Sequence, residues 1–149
     1  IMDGRLKTLH PKIFGGILYD RSVEQHILDA QTIGINHGYD IVVVNLYDFM
    51  GKPSIDRIDI GGPSLIRAAA KNWKDVAVVT HLEQYKGVIA ELDANGEVSL
   101  ATRQWLAYQA FVCTRDYDTA IANWFMGEVK RDQLERFEHH MTHTPNGRY

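Results

Sequence analysis

The chain has 149 residues, 45% of them hydrophobic and 23% charged, with a formal net charge of -3. At roughly 150 residues per domain this predicts one soluble globular domain, and the slightly acidic balance argues against a nucleic-acid module driven by positive charge. The single cysteine, Cys113, excludes an intramolecular disulfide and a multi-cysteine zinc site. No apolar run approaches the ~20 residues that span a bilayer, and no signal-peptide pattern is present, so a reducing, cytoplasmic setting is expected.

In chain order, the first polar cluster is Gly4-Arg5-Leu6-Lys7-Thr8-Leu9-His10-Pro11. Arg5 offers paired contacts and Lys7 a point charge, which suits an anionic substrate, although a solvated basic turn has the same composition. Ile13 to Leu18 reads as a possible strand. Ser22 with Gln25 is a capping-box pattern ahead of a helix ending near Gly34. Ile41 to Leu46 is a continuous β-branched run, expected to be a strand covered on both faces as in a parallel sheet.

Asn45 and Tyr47 stand at the carboxyl end of that strand, the edge where open α/β sheets bind ligands, unless they merely end it. Asp59-Ile60-Gly61-Gly62-Pro63-Ser64 then leads into an alanine-rich helix reaching Lys71. Two glycines at a helix start let backbone N–H groups approach an anion, and Asp59 reads as either a cap or a general acid/base. A structural turn is the competing reading.

Val76 to Val79 is the second strand. Thr80 with Glu83 repeats the capping pattern before a helix to Asn95-Gly96. Ser99 opens a long helical stretch, expected to break near Arg115-Asp116, with Trp105, Tyr108, Phe111 and Trp124 as core residues. Cys113 reads as a small buried residue rather than a nucleophile. His139, His140 and His143 invite a metal reading, but the glutamate of a zinc-protease motif is missing. A solvated tail is expected there, with no metal site. Strand, helix, strand, helix predicts an α/β domain with a mostly parallel sheet.

In this order, GRLKTLHP, GGIL, DIVVVNLYDF, IDIGGPSLIRAAAKN and VAVVT resemble the inosine-monophosphate (IMP) cyclohydrolase domain of the bifunctional purine-biosynthesis enzymes. The likeness runs from Arg5 to about Ala122. It implies a methylglyoxal-synthase-like three-layer α/β/α fold over residues 1–126, with 127–149 as a polar linker toward a formyltransferase domain. It also implies ring closure of the 5-formamidoimidazole-4-carboxamide ribonucleotide to IMP without a cofactor. In such enzymes 10-formyltetrahydrofolate serves only the formyltransferase half, and a homodimer is expected.

Matched by motif, Lys7, Tyr47, Asp59 and Lys71 fall on the family's catalytic positions. Arg5, Thr8, Asn45, Ile60, Gly61 and Gly62 fall on its nucleotide contacts. Phe14, Asp48 and Trp73 depart from the family's usual His, Pro and His. The resemblance further implies that β/α units with phosphate-binding loops precede Ile1, and that Arg148-Tyr149 opens the formyltransferase motif. An inactive fragment and a non-catalytic sensor of phosphorylated ligands are the alternatives. Gly61-Gly62 alone would also suggest a nucleotide-cofactor domain, against which stands the lack of a GxGxxG turn.

Overall fold

The computed structural model describes residues 7–129 together with 133, 136 and 137. Its centre is a crossover in which strand β1 (Ile41–Val43) leads through helix α3 (Gly61–Lys71) to a parallel strand, β2 (Ala77–Val79). The register pairs Ile41 with Ala77, Val42 with Val78 and Val43 with Val79. Ala77 N–H to the Asp40 carbonyl and Val44 N–H to the Val79 carbonyl extend it at both ends. Helices α1 (Pro11–Leu18) and α2 (Glu24–Thr32) precede this unit, and α4 (Glu83–Asn95) and α5 (Leu100–Glu128) follow it. The expected α/β class and parallel pairing are therefore present, and the sheet has two strands among the described residues.

Ile13 to Leu18, expected as a strand, is the body of α1. Pro11 stands at its first turn with φ already suited to a helix, and the His10 side chain accepts from Lys12 N–H. Gly15 and Gly16 allow α1 to lie against its neighbours: an added Cβ would stand 2.7 Å from the Ile35 side chain at Gly15 and 2.9 Å from the Tyr39 ring at Gly16.

Both expected capping boxes are corrected. Ser22 directs its N–H and hydroxyl to Asp20, so α2 begins at Glu24 behind Val23 with no side-chain cap. The buried Thr80 hydroxyl caps no N–H of α4. The Gln84 carboxamide oxygen instead accepts from Thr80 N–H and His81 N–H. The Ser99 cap is present, its hydroxyl accepting from Thr102 N–H. Gly96 closes α4 at φ 74, where a side chain would be strained.

β2 is buried throughout, packed against both α3 and α5, and its valines join Ile66, Ala69, Leu106 and Ala110 in the core. Burying a side chain such as Ile66 contributes about 1.5–3 kcal/mol, so this layer dominates stability. β1 does not share that burial. Val43 is 53% exposed, correcting the expectation of a strand covered on both faces.

α5 runs without interruption through Arg115-Asp116, where a break was expected, and ends at Glu128. Its inner face is Leu106 with Ala107, Ala110 and Thr114, and the three smaller residues at helical spacing let it close on α3 and β2. Trp105, Tyr108 and Phe111 fall off that face and are exposed, correcting their expected place in the core. Trp124 is half-buried against Phe49, and Cys113 is half-buried. Among the described residues no helix is long and apolar enough to cross a membrane. His139, His140 and His143 lie outside them.

Candidate active site

α3 runs antiparallel to the strands, so its first turn stands at their carboxyl edge and its last turn at the opposite edge. Three separate segments meet that first turn. Lys7 and Thr8 arrive from the loop ahead of α1. A Cβ added to buried Gly61 would lie 3.5 Å from the Lys7 Cβ and 3.9 Å from the Thr8 nitrogen. From the loop leaving β1, Tyr47 brings its ring under the Lys7 ammonium, 5.5 Å from Nζ to the ring centroid. Asn45 and Tyr47 are both exposed on this loop.

The third segment carries Asp59. A short 3-10 turn, Ile55–Arg57, ends in extended backbone at Ile58, and Ile60 then turns into helical conformation ahead of Gly61. The Asp59 carboxylate oxygen Oδ1 accepts from Gly62 N–H at 2.9 Å. Glycine lets these side chains come close, because a Cβ at 62 would stand 2.7 Å from the other carboxylate oxygen and 2.8 Å from Leu46 Cδ2 and would displace them. Asp59 therefore does act as a cap, and Gly62 N–H is committed to it. The N–H groups of Ile60 and Gly61, with the helix dipole behind them and Lys7 alongside, form an anion-favouring corner.

The structure thus gathers Lys7, Thr8, Tyr47, Asp59, Gly61 and Gly62, with Asn45 and Ile60 at the same edge. Lys71 does not join them: ten residues after Gly61, it lies about 15 Å along the helix axis at 1.5 Å per residue. Arg5 is outside the described residues. Of the positions that depart from the family pattern, Asp48 has a local task, its carboxylate accepting from Gly51 N–H in the turn after Phe49.

Sequence reasoning missed Tyr117. From the middle of α5 its hydroxyl accepts from Asp59 N–H at 2.7 Å and donates to the Arg57 carbonyl at 2.9 Å. Its ring meets Phe49 edge-on at 6.2 Å, and Phe49, 2% exposed, meets Trp124 at 5.8 Å. Burial pushes the Tyr117 phenol up, so it stays a neutral donor at physiological pH. The one available signal was a tyrosine within a long helix, whose phenol needs a polar partner once buried. Burial also raises the Cys113 thiol, against a hydrogen bond with Thr80 that lowers it and with Asp116 raising it further, so the half-buried sulfur is held as the unreactive thiol.

A family profile described as the AICARFT/IMPCHase bienzyme matches residues 69–149. The chain is 47% identical over 137 residues to the bifunctional purine biosynthesis protein PurH of Clostridioides difficile (strain 630), covering 87% of this chain and 26% of that protein. It is 48% identical over 136 residues to PurH of Prochlorococcus marinus (strain MIT 9301), covering 86% and 26% respectively. The chain thus spans about a quarter of the length of the curated relatives it matches. Among solved structures, the crystal structure of ForH superposes with a TM-score of 0.76 at 29% identity, covering 88% of this chain and 71% of that one.

Proposed function

The chain belongs to the AICARFT/IMPCHase bienzyme family, and on that footing we propose that its Lys7–Tyr47–Asp59 cluster closes the purine ring. The substrate is the 5-formamidoimidazole-4-carboxamide ribonucleotide and the product IMP. The observation that carries the reading is the meeting of three chain segments on the first turn of α3. Lys7 packs on Gly61, and Asp59 is anchored to Gly62 N–H.

The carboxamide nitrogen is a weak nucleophile, and its attack on the formyl carbon places negative charge on the formyl oxygen. Lys7 and the N–H groups of Ile60 and Gly61 stabilise that charge. With Oδ1 holding Gly62, Asp59 Oδ2 takes the proton that the attacking nitrogen loses. The new C–N bond leaves a carbinolamine. Protonation of its oxygen and loss of a second proton from nitrogen release water and leave the C=N bond of the closed ring. Tyr47 steadies the Lys7 ammonium on its ring face and offers a phenol for the proton transfers. Thr8 and Asn45 supply a hydroxyl and an amide for the nucleotide, and Arg5 a guanidinium for its anionic groups.

Both reacting groups belong to one molecule, so holding them in attack geometry contributes a large share of the acceleration, up to ~7–11 kcal/mol for well-oriented intramolecular reactions. Lys71 matches a catalytic position of the family but stands at the far end of α3 and takes part in none of these steps. The formyltransferase activity is proposed only of the remainder of the parent protein.

The test is a ring-closure assay on the protein as encoded in full, following hypoxanthine absorbance after addition of the formamido nucleotide. Conversion with release of IMP supports the proposal. A folded protein that binds the nucleotide and never converts it overturns the proposal in favour of a sensing module.

A further inference from the structure

We propose that Tyr117 is a positioning residue for ring closure: its hydroxyl, carried by α5, bridges the backbone on the two sides of Ile58 and fixes the orientation in which Asp59 presents its carboxylate. The inference rests on the reading of Asp59 as the proton-transferring group.

Asp59 sits on irregular backbone between a single 3-10 turn and the start of α3, with no ladder to hold it. Ile58 N–H closes that short turn on the Ile55 carbonyl. The next N–H, that of Asp59, goes to Tyr117 at 2.7 Å, and the same hydroxyl donates to the Arg57 carbonyl at 2.9 Å. One oxygen therefore satisfies a donor and an acceptor two residues apart, which fixes the peptide planes between them. The Asp59 carboxylate then makes its own bond to Gly62.

The anchor is firm because α5 is a continuous helix packed on α3 and β2. Edge contacts link the Tyr117 ring to Phe49, and Phe49 to Trp124. Phe49 follows Tyr47 by two residues, so the same stretch of α5 meets the Tyr47 loop and the Asp59 segment and sets the spacing between them. A misplacement of ~1 Å in such a constellation lowers turnover about 100-fold.

Tyr117→Phe removes the hydroxyl and keeps the ring. In the full-length protein we expect kcat to fall about 10- to 100-fold with KM within threefold, because the lost contact acts on the reacting geometry. In an Asp59→Asn background, read by single turnover, the same substitution is expected to change the rate less than twofold, because Tyr117 acts through Asp59. A melting curve accompanies each variant. If Tyr117→Phe does not fold, 4-aminophenylalanine at 117 replaces it in the cycle. That side chain keeps the donor to Arg57 and weakens the acceptor for Asp59 N–H, so a smaller kcat loss with the same non-additivity is expected.

If Asp59→Asn collapses turnover while Tyr117→Phe leaves kcat intact, the inference is overturned and the reading of Asp59 survives. The same holds if the two losses multiply. If Asp59→Asn leaves turnover intact, the reading of Asp59 fails and the inference falls with it.

Discussion

The two ends of α3 use similar residue types for different purposes. At its last turn the Asn72 amide donates to the Ile17 carbonyl at 2.8 Å and to the Tyr19 carbonyl at 3.2 Å. Nearby, Asp75 accepts from Arg21 N–H, while the Arg21 guanidinium pairs with Asp40 and donates to the Tyr39 carbonyl. These polar groups join the chain to itself. At the first turn the lysine rests on an aromatic face, the aspartate holds one backbone N–H, and the backbone is glycine. Helix-end polar residues thus divide into those that close the fold and those left at the carboxyl edge of the strands, where the substrate is proposed to bind. The identity of their hydrogen-bond partners separates the two kinds.

Substitutions at the first turn should therefore impair turnover, and those at the last turn stability. The largest effect after Asp59 is expected from Lys7→Ala, with kcat lowered about 100- to 1000-fold, the range seen on losing one oxyanion-stabilising group. Steady-state kinetics checks it. An intact kcat with a raised KM would move Lys7 to a binding role.

Gly62→Ala comes next. Its methyl would enter within 2.7 Å of the Asp59 carboxylate and 2.8 Å of Leu46, so the carboxylate must move, and a loss of about tenfold or more in kcat is expected. At the other end, Asn72→Ala leaves two backbone carbonyls without their donor. Urea unfolding should show a loss of about 1–3 kcal/mol, with kcat per folded molecule retained. A fall in kcat at unchanged stability would instead make the last turn of α3 part of the catalytic machinery.

The smallest effect lies away from both ends, at Glu91. Hydrogen bonds from the Thr102 hydroxyl and from Ser99 N–H hold its carboxyl below the ordinary carboxylate range. A depressed folded pKa contributes stability that is present above the ordinary carboxylate pKa and is lost as pH falls through the folded value. Glu91→Gln should accordingly flatten the acid side of the stability–pH curve slightly, as read by thermal melts between pH 3 and 7.

Features encoded by neighbouring residues were legible in the sequence. Gly61-Gly62 ahead of an alanine run, Ser99 at the opening of a helix, and Gly96 after Asn95 each act within one turn of themselves. The parallel β1–β2 pairing was equally readable, because both segments are β-branched and a helix separates them. Features that a competing partner decides, near or far in the chain, were not. GGIL is equally apolar as strand or helix, and Pro11 with His10 settles it as helix. Ser22 and Thr80 carry capping patterns, but Asp20 and Gln84 provide the competing hydrogen bonds. The α5 aromatics looked like core because they are large. The inner face of that helix is instead Leu106 flanked by the smaller Ala107, Ala110 and Thr114, which suit a close approach to α3 and β2. Tyr117 lies 58 positions from Asp59, and no local pattern connects them.

The chemistry proposed for the first turn depends on Asp59 moving the proton in ring closure. Its most direct test is Asp59→Asn in the full-length protein, with turnover and nucleotide affinity measured on the same preparation. The amide keeps the size of the side chain and an oxygen for Gly62 N–H, but it cannot serve as the base. The expected result is a kcat lower by about 100- to 10,000-fold, the usual contribution of general acid–base catalysis, with the Kd for the nucleotide within threefold. Turnover that survives at near its original rate, or a loss that appears entirely as weaker binding, would contradict the account.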